Sequence, residues 1–561
     1  MTAPTPWVQR RWAELCDAVR AAPLDWAAWA REQLTSDGVG HALAEAYGWE
    51  FSCGVHAGEY DAQRAPEART AAGQFFTPGA VADALARLVP RAAQPGIVLD
   101  PACGAGELLC AVFRARLALG ASTRDALLGL TGWDLDPTAA WGARASLVLC
   151  ALNAATGPVP QELTITGGVD ALEQRAEASV VVMNPPYLEA KRMRGAQPGL
   201  RERLKRLFPE LRGAFDLYMA FLLKADDWLV TGGVAAAILP NKVCQSRYGA
   251  AFREQPTVHL LALDDLSRLS PRPFPGTSVY PVLIAFSSTP EPLVRVRHVL
   301  TPDQLATAPH RTVAASTFTA FEESPWFVPW QTWSILSPLL DGATRLAEMA
   351  TVRSTCSFHK RGLRERYVVP ERPIGDALPY VGGPSFTRTT EVRAYELNWA
   401  GWWIRDAWEE LGARGNRLPP RSRFLRPKVI LRQHARRLDA VVDDRGLFIT
   451  KDVYPIAWPN DPALLHALVA VLNSTVFTAL YNTVFQGIVV GGETYHYLPV
   501  FLRQVPVPSP DRWAELAEHG AQGRDGWLEC DSAVASAYGI SETQRAELVR
   551  VHLERVGADA P

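Results

Sequence analysis

The chain has 561 residues, 48% hydrophobic and 21% charged, which excludes wholesale disorder and, at this length, a single compact core. Net charge is only −2, so the total points to neither a nucleic-acid nor a membrane partner, and local charge has to be followed instead. Eight cysteines are scattered without a Cys-x-x-Cys pair, which argues against zinc ribbons and disulfide frameworks; reduced thiols and no metal are expected. The first thirty residues carry charges throughout, and no stretch approaches about eighteen uncharged apolar residues. Neither export nor membrane insertion is therefore expected, and a cytoplasmic location is.

Residues 1–72 read as amphipathic helices rich in Ala and Trp (Trp7, Trp12, Trp26, Trp29), a small helical unit. From Gly73 short β-type runs alternate with helical stretches: Ile97–Leu99, Leu128–Trp133, Leu163–Thr166, Val180–Met183, Val234–Leu239, His259–Leu263 and Val279–Phe286. These seven runs predict a doubly wound α/β domain over residues 73–290. Residues 291–349, where the alternation decays, read as a connector. Residues 350–510 read as a β-rich, arginine-rich α+β domain, and 511–561 as a mostly polar helical tail.

The segment VLDPACGAGELLCAVF places a strand, then Asp100, Ala102, Gly104 and Gly106, then an apolar helix. A glycine turn at the carboxyl end of a first strand lets the backbone approach a ligand in the crevice where open α/β sheets bind cofactors. No Gly-Lys-Ser/Thr follows, which excludes a P-loop, and Leu109 stands where a dinucleotide fingerprint needs its third glycine. An acid before the turn suits a cationic group such as the amino-acid end of S-adenosylmethionine, whereas a phosphate would want donors. The second strand ends in GWDLDP, placing Asp134 where an acid binds ribose hydroxyls. Asp170 follows the third strand and can accept from an adenine amino group. Taken singly, each acid reads equally well as a helix N-cap or a solvated loop residue; their order after successive strands favours a cofactor pocket.

In VVVMNPPYLEA a buried strand ends in Asn184-Pro185-Pro186-Tyr187. Two consecutive prolines continue neither strand nor helix and stiffen the turn. An amino group on an aromatic ring is a poor nucleophile because its lone pair is delocalised. If the Asn184 side-chain oxygen and the Pro185 carbonyl accept its two N–H bonds, electron density returns to nitrogen as it attacks a sulfonium methyl, with no strong base required. Tyr187 would stack on a base removed from its helix. The alternative is a proline-rich surface turn.

On these residues the sequence resembles the gamma-class N6-adenine DNA methyltransferases, in particular the Taq-type enzymes with a carboxyl-terminal specificity domain, over about residues 73–508. The motif order is Gln74-Phe75-Phe76-Thr77-Pro78, then Asp100 to Gly106, then Asn184 to Tyr187, then the arginine-rich region. The resemblance implies a seven-stranded doubly wound S-adenosylmethionine-dependent methyltransferase domain, a β-rich DNA-recognition domain and N6-adenine methylation of duplex DNA. It also implies that Thr77 contacts the methionine part of the cofactor, and that Phe274, in SRLSPRPFPGTSVYPVLIAF, is a second aromatic facing the flipped base.

Between Gly412 and Arg437 nine basic residues (Arg414, Arg417, Arg421, Arg423, Arg426, Lys428, Arg432, Arg436, Arg437) stand without an Asp or Glu. A solvated face usually mixes signs, so DNA contact is the better reading. Leu188–Gly213 carries eight basic against three acidic residues, a loop gripping the substrate backbone or a plain basic helix. RNA adenine and protein-glutamine methylation share the Asn-Pro-Pro-Tyr chemistry and are the rival readings, with N4-cytosine methylation a minor one. The glutamine enzymes need no basic β-rich module. Duplex DNA is the expected partner, together with a separately encoded restriction nuclease or defence proteins. The 72 amino-terminal residues are too few for a fused nuclease.

Overall fold

The computed structural model describes residues 6–47, 77–196, 198–274, 279–329, 331–341, 343–356, 366–382, 391–405, 408–413, 419–451, 453–485, 489–490 and 494–553. They form two compact units, one of residues 1–319 with 323–328, the other of 320–322 with 329–561. Among the described residues no single helix is long and apolar enough to cross a membrane.

The first unit is built on one sheet. Its strands are β1 (Val98–Asp100), β2 (Leu130–Asp134), β3 (Thr164–Gly167), β4 (Ala178–Met183), β5 (Leu229–Pro240), β6 (His259–Asp265), β7 (Pro281–Ser287), β8 (Leu293–His298) and β9 (Arg311–Ala314), in the order β3-β2-β1-β4-β5-β7-β6-β8-β9. The first five run parallel, and β7 inserts antiparallel between β5 and β6. All seven expected strands are present; the central ones are short buried apolar runs, as in Ala178–Met183 and Pro281–Ser287, whereas edge strand β3 buries only Ile165.

Strands β8 and β9 extend the sheet from residues expected to lie in a connector. Arginines disguise β8: Val294 and Val296 are buried, but so is Arg297, whose guanidinium meets the fully buried Asp264 of β6 at 2.6 Å. His310 approaches the other oxygen of Asp264 at 2.9 Å. A strand whose inward charge is paired from a neighbour does not read as apolar.

Helices α1 (Pro6–Ala21), α2 (Leu24–Thr35) and α3 (Gly38–Tyr47) pack on the same unit. Their anchor is Trp141 of α6 (Pro137–Asn153), after α4 (Gly79–Leu88) and α5 (Glu107–Ala118) in the chain. Trp7 meets the Trp141 ring edge-on at 6.2 Å, and the Trp141 indole donates to the Leu34 carbonyl at 3.3 Å. Of the tryptophans that marked an amphipathic unit, Trp12, Trp26 and Trp29 are core residues and Trp7 packs half-buried against them. Helices α5 and α6 cross so closely at Gly106 that a Cβ there would lie 2.8 Å from the Ala143 backbone, and Gly106 has φ +87°.

The second unit holds two four-stranded sheets. One orders 350–353, 456–459, 428–431 and 440–443; the other 368–369, 403–405, 377–381 and 449–450. Tyr380, Ile404, Phe424, Ile430, Tyr454 and Ile456 fill a common core. Helices Leu465–Asn473 and Thr475–Val484 are buried nearly all round, and the Asn473 side chain exchanges two hydrogen bonds with the Ala440 backbone, at 2.8 and 2.9 Å. Such doubly bonded amides seat a helix on a strand without leaving orphan polar groups.

Candidate active site

Strands β1 and β4 are parallel neighbours with Val98 opposite Val180 and Leu99 opposite Val181. Asp100 therefore ends level with Val182, and the Asn184 turn leaves the same edge two residues further on. The register brings the glycine turn and the Asn-Pro-Pro-Tyr turn together at the carboxyl edge, where ligands bind in sheets of this kind.

On the β1 side, Asp100 is buried and its Oδ1 accepts the Ala102 N–H at 3.1 Å. Burial pushes its carboxyl up to about 8; the Ala102 bond opposes this and the charge of Asp134 adds to it. Among the described residues no cation pairs with it. Asp134 accepts from Gly104 N–H through Oδ2 and from Asp136 N–H through Oδ1, both at 2.8 Å. Gly104 has φ +51°, and a Cβ built there meets nothing within 4 Å. A covered carboxylate lacking a cation beside open space over a glycine backbone fits a ligand with a positive end, as S-adenosylmethionine has.

The Asp170 carboxylate is already engaged. Its Oδ1 caps a short turn through Leu172 N–H at 3.1 Å, and its Oδ2 accepts from Arg203 at 2.7 Å. Arg203, on α8 (Leu200–Leu207) after α7 (Ala190–Ala196), also holds Glu173 at 2.8 Å. Each oxygen keeps a further lone pair, so Asp170 stays a candidate adenine acceptor, oriented by Arg203 from the basic segment after the tetrapeptide.

On the β4 side, the Asn184 amide nitrogen donates to Thr77 Oγ1 at 2.9 Å. The Tyr187 hydroxyl lies 2.6 Å from Asn184 Oδ1 and 2.8 Å from the Ile238 carbonyl, one proton facing two acceptors. A carbonyl oxygen has two lone pairs, so Asn184 Oδ1 keeps acceptor capacity toward a substrate. Tyr187 is only 7% exposed, packs edge-on against Tyr218 at 6.0 Å, and burial first, then the charge of Asp216, raises its phenol well above the ordinary range. The hydroxyl thus braces Asn184, a role that sequence spacing does not reveal. Thr77, expected at the cofactor, accepts from and orients the Asn184 amide, while Gln74–Phe76 lie outside the described residues. Pro185 is buried and Pro186 half-buried.

Phe274 corrects an expectation. It is 5% exposed and belongs to the apolar core with Leu266, Leu269 and Val299, so it anchors the loop rather than offering an open face to a base. Sequence reading missed Asp216, whose Oδ1 accepts Leu188 N–H at 2.7 Å directly after the tetrapeptide; its only signal is one acid inside the apolar run Ala214–Phe221.

The basic segment divides. Lys428 is fully buried, its ammonium on Asp443 at 2.5 Å and on the Phe424 carbonyl at 2.8 Å. The two residues stand opposite in an antiparallel pair, and burial lowers the lysine pKa. Arg437 is buried and donates to the Asn473 carbonyl at 2.6 Å. Both are corrected from DNA contacts to structural cations. Arg432 is partly exposed and reaches Asp439 at 3.3 Å. Arg421 and Arg426 are exposed and Arg423 and Arg436 half-buried; the Arg426 guanidinium lies over Trp458 at 3.6 Å. Arg414 and Arg417 lie outside the described residues.

A glycine turn and an Asn-Pro-Pro-Tyr turn at one edge of this sheet, joined to a separate β-rich unit, give the fold of an S-adenosylmethionine-dependent methyltransferase domain with a carboxyl-terminal second domain. Residues 59–254 match the N-6 DNA Methylase family and residues 386–507 the TaqI-like C-terminal specificity domain. Together the two matches are similar in arrangement to a Taq-type N6-adenine methyltransferase with a recognition domain. It is 29% identical over 197 residues to the type II methyltransferase M.BanIII of Aneurinibacillus aneurinilyticus, covering 32% of this chain and 33% of that protein. With the type II methyltransferase M.PstI of Providencia stuartii it shares 26% identity over 197 residues, covering 33% and 36%. The matched part thus spans about a third of the length of these curated relatives. Among solved structures, the type IIL restriction-modification enzyme MmeI in complex with DNA shares the fold at a TM-score of 0.50 and 13% identity, over 85% of this chain and 75% of that one.

Proposed function

We propose that this protein transfers a methyl group from S-adenosylmethionine to N6 of an adenine turned out of duplex DNA, as a site-specific DNA adenine methyltransferase. The observation that carries the reading is the Asn184 amide, held between Thr77 Oγ1 and the Tyr187 hydroxyl at the sheet edge where Asp100 waits for a cation. S-adenosylmethionine supplies the electrophilic methyl. Asp100 pairs with its ammonium end, Asp134 receives ribose hydroxyls, and the Gly104 backbone permits close approach. Asn184 Oδ1 and the Pro185 carbonyl would accept the two N6–H bonds, returning electron density to the amine toward the methyl that S-adenosylmethionine would supply, and the surplus N6 proton would leave to water. Preorganised acceptors act where charge develops, so no strong base is needed.

The match to a TaqI-like specificity domain favours duplex DNA over RNA or a glutamine side chain. Arg421, Arg423, Arg426 and Arg436 are its candidate DNA contacts. The biological setting is host protection in a restriction–modification system, phage defence with separate partner proteins, or an orphan methylase. The test is transfer from tritiated S-adenosylmethionine to duplex DNA, structured RNA and a glutamine-bearing protein, followed by nucleoside analysis. Label in N6-methyl-2′-deoxyadenosine of DNA supports the reading, and label confined to RNA or protein refutes it.

A further inference from the structure

Asp216 sits in the apolar run Ala214-Phe215-Asp216-Leu217-Tyr218 and is nearly buried, with no basic side chain paired to it among the described residues. A covered carboxylate without a counter-ion is costly, and what it does obtain are backbone bonds. Its Oδ1 accepts Leu188 N–H at 2.7 Å, and Leu217 N–H returns a bond to the Leu188 carbonyl at 3.0 Å. An antiparallel bridge joins Glu189 to Asp216. Leu188 is the first residue after the catalytic tetrapeptide, and Tyr218, two residues beyond Asp216, packs edge-on against Tyr187 at 6.0 Å. One short segment therefore fixes both the backbone leaving the turn and the ring that touches Asn184.

We propose that Asp216 is a positioning residue whose carboxylate clasps the backbone at Leu188 and thereby holds Tyr187, and through its hydroxyl Asn184 Oδ1, in acceptor geometry for the target amine. This rests on the methyl-transfer reading above. The clasp also confers a pH dependence. Burial pushes the carboxyl up to about 6, the Leu188 N–H opposes this, and the charge of Glu189 adds to it. The other groups facing Asp216 are the phenols of Tyr187, Tyr218 and Tyr248, and Glu189 is itself paired with Lys242 at 3.3 Å. An ionised carboxylate is the stronger acceptor, so the clasp is complete above the carboxyl's pKa and weakens below it.

The experiment compares full-length wild type, D216N and D216A by methyl transfer at saturating cofactor and DNA between pH 5 and 8, and by hydrogen–deuterium exchange of the segment carrying Leu188. D216A should lose about 10- to 100-fold in kcat, keep its KM for S-adenosylmethionine, and exchange the Leu188 amide quickly. D216N keeps an oxygen facing the same N–H. It stands in for the protonated acid, so its rate should lie between those of D216A and wild type at pH 8, level with wild type's acid plateau; it should protect Leu188 better than D216A does, and lack the fall in kcat that wild type shows below about pH 6. Wild-type turnover by D216A, equal impairment of the two variants, or an acid limb persisting in D216N overturns the proposal. Should wild type transfer no methyl to DNA, the functional reading fails, and Leu188 exchange still judges the clasp: equal protection in wild type and D216A overturns it. If D216A does not fold, a retained acid limb or lost Leu188 protection in D216N does the same.

Discussion

An amide oxygen activates an aromatic amine only if it is held still, and Asn184 is held from both ends, by Thr77 on nitrogen and Tyr187 on oxygen. Asn184→Ala should abolish methyl transfer while leaving cofactor and DNA affinity within about threefold, because the side chain acts on the reacting amine. Residual turnover near the wild-type rate would remove Asn184 from the chemistry. Thr77→Val keeps the shape and removes the acceptor, so kcat should fall about tenfold with S-adenosylmethionine affinity unchanged by calorimetry. The reverse pattern would return Thr77 to the cofactor. Asp100 adds a pH signature. Its folded-state carboxyl, raised from 3.8 to about 8, favours folding fully below pH 3.8 and loses that contribution as pH rises through about 8. The melting temperature of the ligand-free protein should therefore drop across this window, and Asp100→Asn should flatten the drop while abolishing cofactor binding.

Elements of the sheet were legible because buried parallel strands are written as continuous apolar runs, and Val180–Met183 followed by Asn184 and two prolines located a stiff turn at the strand's carboxyl end without any tertiary knowledge. What sequence could not disclose were partners distant along the chain. Arg297 hides β8 behind Asp264, and Arg203 reaches back to Asp170 across 33 residues. Lys428 stood in a run of cations that read as one DNA-facing stripe, yet strand 428–431 is buried throughout and Asp443 neutralises the lysine across the ladder. The same segment should accordingly give two kinds of variant. Lys428→Ala leaves Asp443 buried and unpaired and should destabilise the protein by about 3–5 kcal/mol in denaturant unfolding. Arg421→Ala with Arg426→Ala should leave stability within about 0.5 kcal/mol each and weaken duplex binding, flattening its salt dependence by about one counterion for each phosphate no longer neutralised. Equal DNA affinity of the double variant and wild type at every salt concentration would take these arginines out of the interface.

Across the whole molecule, the match to the N-6 DNA Methylase family lies in the first unit and the match to a specificity domain in the second, so the proposed site-specific methylation would require both: one to methylate, the other to choose where. That division has a direct readout. DNA from cells expressing the wild-type chain or its Asn184→Ala variant, read by single-molecule sequencing, reports base, atom and sequence context together. N6-methyladenine should stand at one recurring sequence in wild-type cells and be absent with the variant. Unmodified DNA in both, modification at cytosine, or N6-methyladenine scattered without sequence preference would contradict site-specific adenine methylation by this chain.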